Sequence, residues 1–461
     1  MTDAASSAGP PVHLGDPQMW ADFQALCDLG GRVAGSPSEA AALAFASQRL
    51  AAVPGAMVRE ELVDYPGWRW RTAQLISVAT GVSYSCTPLL GTASTAGVVA
   101  EVLDLGLGRR EDFERHANDI PGRIVMVRHE YPFAAGHLHR RVKLGLAQQL
   151  GAAAFLIAHP EAGVGPVSGS SGRNGGAGIP ALGIGAEAAD AFKPLPERTL
   201  PTARMVIDGD DHPAQTRTLI ADLPGRGGDW VVVSAHIDGH PLGESAIDNA
   251  TGVVVALALA RLLAPHVPAC PRGLRICLFN AEEWGLVGSR IWLERMDDVA
   301  RRSMVININL DSVAGASGLT ALTSGFERLD MWVKETTARA ALATPDLLRG
   351  SDQRGHSKSA RAGHSPEAGS SARAGLPIAT HLPLMANSDH ANFAAHGIPA
   401  LRLIAGFDTP DSNLRLLLTA ADTRDKVKPD ELDQAMQLAA TLTWQALTDS
   451  DATLSGLAAR T

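Results

Sequence analysis

Cysteine is scarce in this sequence: Cys27, Cys86, Cys270 and Cys277 are the only four in 461 residues, and no two form a C-x-x-C pair. That excludes a disulfide framework, and it predicts reduced thiols packed among apolar neighbours rather than a reactive nucleophile. Positive charge is also short. Forty Lys and Arg stand against 49 Asp and Glu, a net charge of -9, so there is no basic stripe to neutralise a phosphate backbone and no nucleic-acid partner is expected. Long apolar runs are missing too. Val253–Ala260 and Ala152–Ala158 are among the longest, far short of the roughly 20 residues that cross a bilayer. Met1 to Gln18 is polar and rich in Pro, Ser and Gly, without the basic start and apolar core of a signal peptide. The expectation is a soluble cytoplasmic protein, with a disordered N-terminus over residues 1–19 and no membrane association. The chain has no G-x-S-x-G elbow and no G-x-x-x-x-G-K loop, and His129-Glu130 lacks a second His four residues after the first, so it is not the helical zinc-protease motif.

What is present is a 45% apolar composition, sufficient for a large core and, on length alone, for two or three domains. Apolar residues at helical spacing follow Ser36-Pro37-Ser38, which predicts a helix through Ala40–Leu50 capped at Ser36 or Ser38. From Gly97 short strands appear at Val98–Leu103, Gly122–Arg128, Ala153–Ala158 and Pro180–Ile184, with a helix at Val142–Leu150 and a Gly/Ser-rich loop at Gly163–Gly178. Beyond Pro201, strands at Trp230–Ala235, Leu274–Asn280, Met304–Leu310 and Ala400–Leu403 alternate with helices at Gly252–Leu263, Val287–Arg295, Arg328–Leu342 and Pro429–Leu447. That alternation predicts an α/β protein with a mainly parallel sheet sandwiched by helices. Gly350–Gly375, crowded with Ser, Gly, Arg, Lys and His, reads as a long polar loop.

Open α/β sheets bind ligands at the carboxyl ends of their strands, and strong metal-ligating side chains fall there repeatedly. Trp230–Ala235 runs into His236-Ile237-Asp238, Leu274–Asn280 into Ala281-Glu282-Glu283, and the strand ending at Leu310 into Asp311. Asp248 precedes the helix near Gly252, and His390 lies in the loop before the strand at Ala400. Imidazole and carboxylate without thiolate suit zinc or another borderline divalent ion. Two His and three carboxylates exceed what one tetrahedral catalytic zinc needs, and match two metals that share a bridging carboxylate.

The stretches Ala235–Asp238, Ala246–Gly252, Asn280–Ser289, Asn309–Asp311 and Ser388–His390 resemble the five metal-site blocks of the co-catalytic dizinc aminopeptidase family, which also contains glutamate carboxypeptidases and glutaminyl cyclases. The resemblance covers Trp20–Leu90 and Met205–Leu447, including the entry Arg32–Pro37. It implies a zinc-exopeptidase-like mixed sheet and two Zn2+ ions, with other divalent metals as substitutes. His236 and Asp311 would complete one site, Glu283 and His390 the other, and Asp248 would bridge them. Glu282 would be the general base, and Asp238 the carboxylate that orients the His236 imidazole. The substrates implied are peptides cut at the N-terminal residue; a metallocarboxypeptidase or dipeptidase on the same site is the alternative, with Arg128, Arg140 and Arg402 as candidate grips for a substrate carboxylate. A catalytically inactive binding protein would be expected to lose ligands that this chain keeps.

Gly122–Val127, Lys143–Phe155 and Gly178–Ile184 resemble the protease-associated domain inserted in that family, as a lid over the cleft or as a structural unit. The division implied is a zinc peptidase domain over 20–96 and 202–461, with a small β-rich insert over 97–201. The oligomeric state, a homo-oligomer included, stays open. Gly239 and Asn392 depart from the family's Ser and Pro without removing a ligand, and none of Tyr65, Tyr84 and Tyr131 falls near His390. The cluster His137, His139, Arg140, Arg141 and Lys143 reads as a solvated helix face, and His356 and His364 as parts of the polar loop.

Overall fold

The computed structural model describes residues 16–134, 136–173, 175–194, 199–343 and 378–459; the expected polar loop at 350–375, with His356 and His364, lies outside them, as do residues 1–15. The ordered chain starts earlier than the sequence suggested. Asp16 accepts the amide of Gln18 and Pro17 occupies the first helical position, so a helix already spans Pro17–Asp28. A second helix, Pro37–Ala51, is capped by Ser36, whose side chain accepts the Glu39 amide. Glu39 is buried; its carboxylate accepts from the Thr216 hydroxyl at 2.7 Å and from the Asn280 side chain. A capping position thereby ties the first helices to the strand end where Glu282 and Glu283 begin.

The described strands join into one 14-stranded sheet. Its central four, Ala400–Ala405, Met304–Leu310, Trp230–His236 and Gly273–Phe279, lie parallel in that order. These strands are almost wholly buried and apolar, as parallel strands covered on both faces must be. Thr251–Leu263 packs as a core helix against Pro429–Thr448, with Val253–Ala260 buried throughout. The 18-residue helical stretch Ala246–Leu263 is long and apolar enough to cross a membrane by composition, yet 83% of it is buried inside the fold.

One feature had no sequence signal. Met57–Ser77 and Thr202–Leu223 form a long antiparallel ribbon, and Thr202–Leu223 belongs to both parts of the sheet. Its last residues, Leu219–Leu223, pair with Gly273–Phe279, while its first, Thr202–Ile207, pair with Thr95–Asp104. Beyond Thr95–Asp104 come Ile124–Arg128, Ala154–Ala158 and Ala181–Ile184, all parallel, with Cys86–Pro88 antiparallel at the edge. A separate apolar cluster around Phe113, Phe155 and Val125 fills this second region. All four cysteines are free, and burial pushes each thiol upward, Cys27 to about 12 and Cys86 to about 11.

Candidate metal centre

Parallel pairing sets the three central strand ends side by side. Phe279 is opposite His236, and Asn309 is opposite both Ser234 and Arg402. The residues that leave those ends therefore meet on one edge. His236 is buried, with its Nε2 3.1 Å from Asp248 Oδ1 and 3.6 Å from Asp311 Oδ1. His236, Glu282 and Asp311 each present a ligand atom, and the three atoms lie within 4.8 Å of one another. Glu283 and His390 are buried, and Glu283 lines the same cleft.

Each of these side chains is held from behind. The Asp238 carboxylate accepts the backbone amides of Glu282 at 3.1 Å and Glu283 at 3.2 Å, so it shapes the turn that presents both. The nearest partner of His236 Nδ1 is the Asp238 carbonyl oxygen at 3.1 Å; the Asp238 carboxylate is 3.7 Å away. The residue expected to orient the imidazole does adjoin it, but main-chain oxygen makes the closer contact. Asp422 accepts the amides of Ile247 and Asp248 at 2.7 and 3.3 Å, a contribution from 174 residues downstream that the sequence did not signal. A file of buried hydrogen bonds, Asn307 to Ser234 to Asn309, ends with Asn309 donating to Ser388 two residues before His390. Asn392 donates to the Leu286 carbonyl at 3.0 Å and the Ser289 hydroxyl at 2.8 Å, pinning the short helix His390–Ala395 to the helix Val287–Arg295.

Left-handed backbone concentrates here. Ser245, Ala281, Leu286 and Ser312 have φ between 47° and 60°, and each flanks a candidate ligand. Such residues cost on the order of 1–3 kcal/mol each and persist where surrounding structure imposes them. The Asp248-Asn249 peptide is cis.

Charge is equally crowded. Burial, with the Asp248 carboxylate reinforcing it at Glu283, pushes Glu282 and Glu283 well above the usual carboxylate range. Burial also raises Asp311, but the Arg402 guanidinium, 3.0 Å from Asp311 Oδ2, and His236 outweigh it and hold that carboxyl well below its ordinary value. Burial and Arg402 hold His390 down to about 3, which leaves it the neutral imidazole that metals bind.

The cleft above this edge encloses about 390 Å³ and has two walls. One carries Asp248, Glu282, Glu283, Asp311, Leu384 and Arg402. The other comes from the region expected as an insert and carries His129, Phe133, His137, His139, Arg140 and Arg141. The expected solvated face of the basic cluster is thus corrected. Arg140 is 7% exposed and Lys143 1%, with Lys143 Nζ donating to Glu130 at 2.7 Å and to two carbonyls. The helix Arg140–Gln149 turns its basic start inward because the strand Ile124–Arg128 and the Ser168–Gly172 loop supply buried acceptors.

The sequence profile of peptidase family M28 matches residues 218–443, and that of the PA domain matches residues 88–192. The chain belongs to peptidase family M28, with a PA domain inserted. Among curated relatives, Aminopeptidase YwaD of Bacillus subtilis is 28% identical over 270 residues, 56% of this chain and 54% of the relative. A probable leucine aminopeptidase 2 of Aspergillus fumigatus is 25% identical over 253 residues, 53% and 48% of the two chains. The chain spans about half the length of the curated relatives it matches. Among solved structures, a zinc aminopeptidase from Bacillus subtilis superimposes with a TM-score of 0.68 at 21% identity, covering 95% of this chain and 97% of that one. An aminopeptidase from Aneurinibacillus sp. strain AM-1 gives 0.66 at 23%, covering 94% of each. At these identities the likeness is one of fold.

A metal implied by the M28 family can be tested against this chain's own atoms. Glu283 Oε1, His236 Nε2 and both ring nitrogens of His390 are buried without a hydrogen-bond partner among the described residues. Orphaned polar atoms are rare in folded interiors because each costs about 1–3 kcal/mol. Four of them on three proposed ligands, beside the crowded carboxylates of Asp248, Glu282 and Glu283, is the pattern a divalent cation would resolve. The residues fit the group.

Proposed function

We propose that this M28 protein is a zinc-dependent exopeptidase, an aminopeptidase that releases N-terminal residues from peptides, built as a peptidase body over 20–96 and 202–461 with an insert over 97–201. The observation that carries the reading is the approach of Asp248 and Asp311 to His236 Nε2, at 3.1 and 3.6 Å, together with the orphaned ligand atoms of Glu283 and His390. In this reading His236 and Asp311 would hold one Zn2+, Glu283 and His390 would hold the other, and Asp248 would serve both. When bound, two such ions supply a water acidic enough to yield hydroxide near neutral pH and an electrophile for the scissile carbonyl.

The protein's own groups do the rest. Glu282 stands beside the ligands, within 4.8 Å of ligand atoms of His236 and Asp311, on the turn that Asp238 holds, and its carboxylate takes the proton of the attacking water and returns it to the departing amine. The His236 Nδ1 proton is directed at the Asp238 carbonyl, so Nε2 is left with its lone pair facing Asp248 and Asp311. Relatives named as aminopeptidases, over about half their length, support the exopeptidase class.

The test is a panel of free-amine aminoacyl anilides against N-acetylated dipeptides, each with and without a chelator. Hydrolysis of the free-amine set, abolished by chelation and restored by Zn2+, is the expected result. Activity confined to N-blocked substrates would overturn the aminopeptidase reading, and activity indifferent to chelation would overturn the metal.

A further inference from the structure

Arg128, Arg140 and Arg402 differ in what they have left to offer a substrate. Arg128 is committed to Asp104, with Nη1 and Nη2 at 3.0 and 2.7 Å from its carboxylate, and it does not line the cleft. Arg402 lines the cleft, but it is bound to Asp311 at 3.0 Å and to Asn387. Arg140 lines the cleft and is 93% buried by the complement of its 7% exposure, yet among the described residues no carboxylate lies within ion-pair distance of it. Its Nε donates to the Ser170 carbonyl at 3.0 Å, and no hydrogen bond of its two Nη atoms to a described residue is found.

The surroundings of Arg140 are shaped to hold it. A Cβ built on Gly169, which has φ +108°, would fall 2.2–2.6 Å from Nη2, Cζ and Nη1. Glycine is therefore required for the main chain to lie against the guanidinium. The same holds for its neighbour: Gly172 would carry its Cβ 2.9 Å from Arg141 Cδ, and Gly285, directly after the Glu282-Glu283-Trp284 turn, 3.0 Å from Arg141 Nη1. The Gly/Ser-rich loop is thus a bed for two arginines facing the metal edge. Glu283, Glu282 and Asp248 are the acidic groups whose charge Arg140 feels most.

A buried guanidinium with two unmatched nitrogens over a cleft is a fork for a planar anion. Since it faces carboxylates assigned to metal, the anion must arrive with the ligand. Resting on the exopeptidase reading, we infer that Arg140 of the inserted domain receives the C-terminal carboxylate of the substrate, so that this protein prefers dipeptides and other very short peptides to long chains. The volume agrees: about 390 Å³, closed on one side by the insert, accommodates a small ligand. Phe133, Leu384 and Met385 line the same space and give apolar surface for the substrate's side chains.

The experiment compares kcat/KM for Leu-Gly and for Leu-Gly amide, which differ only in the terminal carboxylate, in the zinc-loaded protein and in Arg140→Gln and Arg141→Gln. The expected result is a preference for the free acid of about 10- to 100-fold, carried by KM. Arg140→Gln should bring the ratio close to 1, and Arg141→Gln should reduce it less. Because the readout is a ratio within one preparation, a partly folded variant does not mimic it. Equal kcat/KM for the two substrates in the unmutated protein would overturn the inference while leaving the peptidase reading intact. An equal fall in kcat on both substrates in Arg140→Gln would assign that side chain to the scissile carbonyl and also overturn it. No hydrolysis of either substrate by an unmutated protein that still cleaves the free-amine anilides would overturn this inference alone, and failure on the anilides as well would remove the peptidase reading with it.

Discussion

On one wall of the cleft, His236, Glu282, Glu283 and Asp311 follow directly on parallel strands whose ends are level. On the other, His129, His139 and Arg140 follow no such pattern: they sit after a strand and at the start of a helix in the inserted region, and they face the cleft only because that region folds back over the metal edge. The first wall is acidic and, in the proposed reading, holds the metal. The second is basic, apolar and built around glycines. The difference teaches that the proposed chemistry and the proposed choice of substrate rest on separate pieces of chain, joined through the shared strand Thr202–Leu223.

That division can be broken from either side. The largest effect is expected at the acidic wall: Glu282→Gln should lower kcat about 10²- to 10⁴-fold while zinc content, measured by atomic emission, stays at the level of the unmutated protein. Full activity in that variant would take the proton transfer away from Glu282. On the basic wall the largest consequence should be one of stability. Lys143→Met leaves the buried Glu130 carboxylate with Arg109 as its remaining ion-pair partner and takes the donor from two carbonyls, and should cost about 1–3 kcal/mol, read as a lower urea midpoint for the inserted region by tryptophan-independent probes such as hydrogen exchange on Ile124–Arg128. A smaller effect should come from Asn392→Ala, which removes two of the bonds that hold the His390 helix to its neighbour and leaves the Ser289–Asp389 bond in place. Zinc affinity should fall about 10-fold, measured by competition with a chromogenic chelator, with little change in thermal midpoint. A large loss of stability instead would make Asn392 a packing residue.

The five candidate ligands were legible because each lies at a strand end or just before a helix, positions that local patterning reveals. Asp422 was not legible. It reaches Ile247 and Asp248 from 174 residues away, and nothing near it in sequence marks a site. Nor was the long ribbon, because Met57–Ser77 and Thr202–Leu223 alternate exposed and buried residues irregularly, without the apolar run that marks a buried strand. The inward turn of Arg140 and Lys143 was missed for a related reason. A basic helix start has the same composition whether it meets water or buried acceptors, and only the Ser168–Gly172 loop and Glu130 decide between them.

The sequence by itself determined the α/β alternation, the identity of the residues offered to metal and the resemblance to the dizinc peptidases, since these depend on periodicity and on residue types at strand ends. The tertiary structure alone decided which atoms converge, that a second region closes the cleft, and that one buried arginine there faces the acidic wall with nitrogens to spare. Convergence depends on register and on contacts between distant segments, and no local pattern encodes either.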